Sequence, residues 1–163
     1  MAKVKLTMLA AAAMALAGCS TQTNQSERDA LAARMSSEVD TTRDATSTAT
    51  NIHGYKLALA NRIAQVSSTK VFVGRPQPLL RSVVVVKYSV DAEGKLLRSE
   101  ILRSNHDRTT ENTALTTLRA AAPFPKPASN LLTHNKVELM ETWLFNNDGR
   151  FQLRTIAEPQ MNE

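Results

Sequence analysis

The stretch Ser82-Val83-Val84-Val85-Val86-Lys87-Tyr88-Ser89-Val90 constrains the fold more than any other part of the chain. Four consecutive β-branched residues crowd a helical backbone and sit easily on an extended one, so the segment predicts a strand. Alternation puts Val84, Val86, Tyr88 and Val90 on one face and Val83 and Val85 on the other, which places the strand inside a sheet. Asp91-Ala92-Glu93-Gly94 comes next and predicts a type I turn with glycine in the left-handed position. The return strand is then expected over 95–103. Upstream, Pro76 and Pro78 bar a helix from running into the strand.

The flanking segments switch to helical spacing. Tyr55, Leu59, Ile63 and Val66 recur at intervals of four, four and three, the apolar face of a helix over about 53–67. After Ser104-Asn105-His106-Asp107, where Asp107 or a following threonine can cap, Ala114, Leu115, Leu118, Ala121 and Ala122 form a second stripe. That helix must end before Pro123, and Phe124-Pro125-Lys126-Pro127 is a stiff extended connector. A third strand is predicted at Lys136–Phe145, a turn at 146–149 and a fourth strand over 150–156. Trp143 either anchors the sheet to a helix or sits at a contact, with core packing the expected role. Glu141 shares its strand parity and is expected as a solvent-exposed charge, with a partner contact as the alternative. The order α-β-β-α-β-β predicts a two-layer α+β domain, a mainly antiparallel three- to four-stranded sheet packed on two helices.

The chain has a single cysteine, Cys19, which excludes a disulfide framework, a cysteine zinc site and an iron–sulfur cluster. It follows a cationic start (Lys3, Lys5) and an apolar run over 6–17, the layout of an export signal. About 12 residues are too few to span the hydrocarbon core, which takes about 20. Leu16-Ala17-Gly18-Cys19 resembles the lipobox of bacterial lipoproteins. The resemblance implies removal of residues 1–18, a thioether-linked diacylglycerol on Cys19 and an acylated amine. Ser20 rather than aspartate after the cysteine implies, by the same resemblance, the outer membrane. One acyl chain holds weakly, whereas two or three make the attachment durable.

Residues 19–51 read as a tether. Five serines and seven threonines fall within 20–51, where Leu31, Met35 and Val39 are the only large apolar residues. Such a segment cannot build a core, although those three lie at i, i+4, i+8 and allow a short helix near 27–39. As a coil it would span about 30 to 35 Å, and stretched about 110 Å. Its net charge is −2, whereas 52–157 carries fifteen basic and eight acidic groups, +7. The basic character therefore belongs to the folded domain, 52–157, followed by a tail at 158–163. A solvated cationic surface is the plain reading of that charge. Attraction to an acidic partner, anionic lipid or the cell wall is the other. Nucleic-acid binding is not expected: aromatic residues are 4% of the chain and no basic cluster or nucleic-acid motif occurs.

From about 55 to 153 the chain resembles the C-terminal domain shared by TonB and TolA proteins. The matches are Val84-Val85-Val86-Lys87-Tyr88-Ser89-Val90 running into Asp91-Ala92-Glu93-Gly94-Lys95-Leu96, then Ile101-Leu102-Arg103-Ser104-Asn105. Ala114-Leu115 leads to Ala121-Ala122-Pro123-Phe124-Pro125-Lys126-Pro127 and a strand ending at Phe145. Glu111 stands where the family often has aspartate, Thr110 and Thr113 replace apolar residues, and Asn105-His106 replaces the usual Ser-Gly. The inner-membrane helix and Pro-rich reach of the energy-transducing members have no counterpart here.

The resemblance implies a protein-binding module that lends a sheet edge to an extended peptide of a periplasmic or outer-membrane partner. The third strand is the family's usual lender, which nominates Lys136, Glu138, Met140, Thr142 and Leu144. The predicted fourth strand folds back onto it, so Arg150, Gln152 and Arg154 either mask that edge or present a new one. Alternatives are a component of an energy-transducing TonB complex and a structural lipoprotein touching the cell wall. Two copies exchanging strands is a further arrangement of the same edge. Catalysis is not expected: His53, His106 and His134 are scattered without a metal-ligand spacing, and the four glycines after the signal, Gly54, Gly74, Gly94 and Gly149, form no phosphate loop. No cofactor or metal is called for.

Overall fold

In the computed structural model, which describes residues 44–159, the valine run forms β1 (Ser82–Asp91). Val84, Val86, Tyr88 and Val90 are buried, and Val83 is partly exposed on the opposite face. Strand β1 pairs antiparallel with β2 (Leu96–Arg103) on one side and with β3 (Lys136–Phe145) on the other, so it lies inside the sheet as expected. The β1–β2 turn closes with Gly94 N donating to Asp91 O at 3.1 Å, while Asp91 Oδ1 accepts from the amides of Glu93 and Lys95. Gly94 has φ +82°, and a Cβ there would stand 2.0 Å from the Phe124 carbonyl oxygen. Glycine is thus required twice, by the turn and by the connector that crosses over it.

Helix α1 (Ile52–Val66) starts at Asn51, whose side chain accepts from Gly54 N at 2.9 Å. Tyr55, Leu59 and Ile63 are buried as the spacing predicts; Val66 is exposed, and Ala58, Ala60 and Ala64 complete the inner face instead. Helix α2 (Arg108–Ala120) is capped by Asp107, which accepts from the amides of Thr109 and Thr110 and holds the Arg81 guanidinium at 2.9 Å. The polar group before it is a strand-to-helix turn: Ser82 Oγ donates to Asn105 Oδ1, and Thr110 Oγ1 donates to Ser82 Oγ. Thr110 therefore serves as a buried polar link where an apolar residue would have served only as filling.

The sheet is antiparallel in the order β2-β1-β3-β4, with β4 (Phe151–Leu153) the shortest strand. Both helices contribute to the single core that covers one face, where Tyr55, Leu59, Ile63 and Leu118 meet Val84, Val86, Leu139, Trp143 and Phe145. The fold is the expected two-layer α+β domain.

Two boundaries differ from expectation. The fourth strand, expected over 150–156, spans only Phe151–Leu153. Arg154 N still donates to Thr142 O, but the amides of Ile156 and Ala157 both turn back onto Leu153 O at 3.0 and 2.9 Å. The tether, expected to run to residue 51, is already docked at its end: Ser47 N donates to Lys126 O at 2.8 Å and Lys126 N to Ala45 O at 2.9 Å. A proline-flanked extended connector offers free main-chain groups, and a short extended segment has taken them. The expected signal at 1–18, Cys19, the helix near 27–39 and the tail beyond Pro159 lie outside the described residues.

Candidate functional site

The hydrogen-bond parity of β3 decides which of its groups a partner can reach. In an antiparallel strand successive residues turn their N–H and C=O to opposite neighbours. Phe145 O accepts from Arg81 N on the β1 side, whereas Thr142 O accepts from Arg154 N and Asn146 N donates to Arg150 O on the β4 side. Residues 136, 138, 140, 142 and 144 therefore face away from β1. Because β4 pairs only Trp143, Leu144 and Phe145, with one further bond to Thr142, it covers just one end of that edge.

At the other end Lys136 exchanges both main-chain bonds with Thr133, N to O at 3.2 Å and O from N at 2.8 Å. Among the described residues, the N–H and C=O groups of Glu138 and Met140 remain as the open rungs. The Met140 side chain is 53% exposed. Glu138 sits between two cations, Lys136 Nζ at 2.9 Å and Lys87 Nζ at 3.2 Å, whose hydrogen bonds hold its carboxyl below the ordinary glutamate range. A depression of about 570 Å³ borders this end of the strand, lined by Ile52, Leu131, Thr133, His134, Val137 and neighbours.

The residues nominated on the last strand are not gathered there. Gln152, expected at an edge, is buried, and its Nε2 donates to Gly74 O. Arg150 pairs with Asp148 at 2.6 Å and lies over the Phe72 ring at 5.0 Å. Arg154 is exposed at the end of the covered stretch. The outer side of β4 is itself occupied, because Phe72 N donates to Phe151 O at 2.8 Å in a parallel bridge. Among the described residues, the chain after Arg150 thus neither masks all of β3 nor offers a new edge in its place.

Glu141 overturns its expected exposure. It is 3% exposed on the core side of β3, between Leu139 and Trp143. Its Oε1 accepts from its own neighbour's amide, Thr142 N, at 2.7 Å and from Thr155 N at 3.4 Å. Burial raises its pKa above the ordinary value, against the opposing hydrogen bonds of Thr155 and Thr142 and the charge of Lys56. Parity with Val137, Leu139 and Trp143 was the signal that placed it inside. Trp143 has the expected core role, fully buried.

Among the described residues no group of histidine and carboxylate side chains is placed to hold a metal ion, and no helix is long and apolar enough to cross a membrane. Comparison of the chain with protein-family models, curated proteins and solved structures yields no match.

Proposed function

We propose that this is a lipid-anchored module of the periplasmic face of the outer membrane that binds an extended segment of another envelope protein as an added strand on β3. The observation that carries the reading is the pair of open rungs at Glu138 and Met140, left by a β4 that stops short. An incoming strand finds four main-chain groups there. At about 0.5 to 1.5 kcal/mol net per hydrogen bond, they supply only a few kcal/mol. The side chains beside the edge must then provide the rest: exposed Met140 on one face, Ile52 and Leu131 in the depression on the other. Recognition of this kind needs backbone more than particular side chains, which suits binding rather than catalysis. The lipobox-like segment ending at Cys19 supports the anchor, and the likeness of 55–153 to TonB and TolA C-terminal domains supports the binding mode.

The test is a photo-crosslinking residue placed in turn at positions 138, 140 and 150 of the full chain in cells. Capture of one envelope protein from 138 and 140 but not from 150 is the expected result. Equal capture from all three, or none from 138 and 140, would remove the edge from consideration. Recovery of a motor subunit or of murein would favour a transducer component or a wall-contacting lipoprotein instead.

A further inference from the structure

We infer that Glu141 is a built-in strand terminator, a positioning residue whose carboxylate stands in for a main-chain carbonyl and so fixes how much of the β3 edge stays open.

The register of the last hairpin shows what would otherwise happen. Trp143 faces Leu153, Leu144 faces Gln152 and Phe145 faces Phe151. Continued by the same rule, the next rungs would set Thr142 against Arg154 and Met140 against Ile156. Half of the first of these exists, Arg154 N to Thr142 O at 2.9 Å. The returning bond, Thr142 N to Arg154 O, is replaced by Thr142 N to Glu141 Oε1 at 2.7 Å. The same oxygen takes Thr155 N at 3.4 Å, drawing the departing chain inward as the amides of Ile156 and Ala157 fold onto Leu153 O.

The residue types of 154–157 suit a longer strand, for which Ile156 would give up its packing against the core. Thr155 and Ile156 are β-branched and suited to extension, Ile156 would lie beside Met140, and Ala157 would face the core side with Leu139. Only the rung after that is disfavoured, since it sets Glu158 against Glu138, like charges directly opposite. Without the carboxylate the tail would therefore close the Met140 rung and leave Glu138 open. A buried acidic residue at an inward-facing strand position is otherwise an expensive choice, and ending a strand early is a use that its two amide contacts serve directly.

The consequence for recognition rests on the edge-pairing function proposed above; the terminator itself does not. Hydrogen exchange read at single amides in the full chain tests it. In the wild type, the Met140 and Glu138 amides are expected to exchange fast and the Thr142 amide, bonded to Glu141 Oε1, slowly. In Glu141→Leu and in the smaller Glu141→Thr, Met140 is expected to slow at least about tenfold as β4 lengthens, while Glu138 stays fast. Glu141→Gln keeps an oxygen at the same place and should restore the wild-type pattern. Fast exchange at Met140 in both the Leu and Thr variants would overturn the inference. So would loss of Thr142 protection in Glu141→Gln, an isosteric change that tests the idea even if the other two fail to fold. Crosslinking from position 140 should drop in Glu141→Leu and persist in Glu141→Gln. A closed Met140 rung with undiminished partner capture would count against the edge-binding reading and leave the terminator standing.

Discussion

Trp143 Nε1 donates to Thr117 Oγ1 at 3.1 Å, tying the largest fully buried side chain of β3 to the inner face of α2. The hydroxyl that accepts this bond spends its own proton on the helix, with Thr113 O at 2.8 Å and Ala114 O at 3.0 Å both within reach. Threonine in mid-helix usually weakens the helix slightly, but here its oxygen satisfies a fully buried indole N–H. Thr117→Val should therefore cost about 1 to 3 kcal/mol, the range for leaving a buried donor unpaired. Thr117→Ser, which keeps the oxygen, should recover most of that loss. Urea unfolding followed by the single tryptophan's fluorescence measures both, and equal stability of the Val and wild-type proteins would refute the role.

Gly94 makes a second, steeper prediction. Its φ of +82° and the 2.0 Å approach of Phe124 O leave no room for a methyl group. Gly94→Ala would have to push the connector away and lose the Phe124 N to Gly94 O bond at 2.8 Å. A destabilisation of at least about 2 kcal/mol is expected from backbone strain and the lost bond together. Alanine at Gly54, within α1 and with ordinary φ, is the matched control and should be far milder. Thermal melts of the two variants compare them directly.

These two positions also show what the sequence made legible. Gly94 was readable because turn chemistry is local: Asp91 and Gly94 lie within four residues and carry their own signature. The inward face of β1 and the Asp107 cap were readable for the same reason, one from alternation and the other from a capping residue ahead of an apolar stripe. The short β4 was not. Its length depends on Glu141, Thr155 and the turn onto Leu153 O, and on the 71–74 segment that runs along its outer side. The pairing with 71–74 joins residues some eighty positions apart, and none of these contacts leaves a periodic trace. Gln152 was placed at an edge because nothing local marks Gly74 O as its acceptor. Of the candidate site, Glu138 and Met140 were legible as alternate residues of a lending strand, whereas the limits of the open stretch required the tertiary fold.

The burial of Glu141 has a sign in pH. Its carboxyl titrates higher in the folded protein than in the unfolded chain, so the folded state binds the proton more tightly. Its contribution to stability must then fall as pH rises from the unfolded value, about 4.3, through the raised folded value, and level off above it. Asp107, Glu138 and Asp148 are shifted the other way and lose their contribution on acidification, so the whole-protein profile mixes both trends. The informative quantity is the stability of wild type minus that of Glu141→Gln, measured by urea unfolding between pH 4 and 8. It should decline with pH. A difference that stays flat or climbs would contradict the raised carboxyl.

The anchor is tested away from the folded domain. With Cys19 as the chain's single cysteine, labelling cells with radioactive palmitate should mark the wild-type protein and leave Cys19→Ala unmarked. Retention of label in Cys19→Ala would dismiss the lipoprotein reading without touching the binding edge.

Proline separates the two sides of β3 most sharply. The Met140 N–H points to the open edge, so Met140→Pro deletes a donor that no ladder bond uses, and edge strands accept proline where the N–H faces outward. The preceding residue, Leu139, is already extended, as a residue before proline must be. The variant should fold, with a loss of about 1 kcal/mol from the constrained φ. Leu139→Pro is its opposite. The Leu139 N–H faces β1 across the pair Tyr88–Leu139, and its side chain is buried, so proline there removes a ladder bond from the middle of the sheet and should cost about 3 kcal/mol or more. If a partner adds a strand at this edge, Met140→Pro deletes one of the four rung groups and blocks the next residue's approach, and capture from a crosslinker at position 138 should fall at least about tenfold while the fold survives. Undiminished capture by a folded Met140→Pro protein would mean that the partner holds the domain through side chains elsewhere, and strand addition would have to be given up.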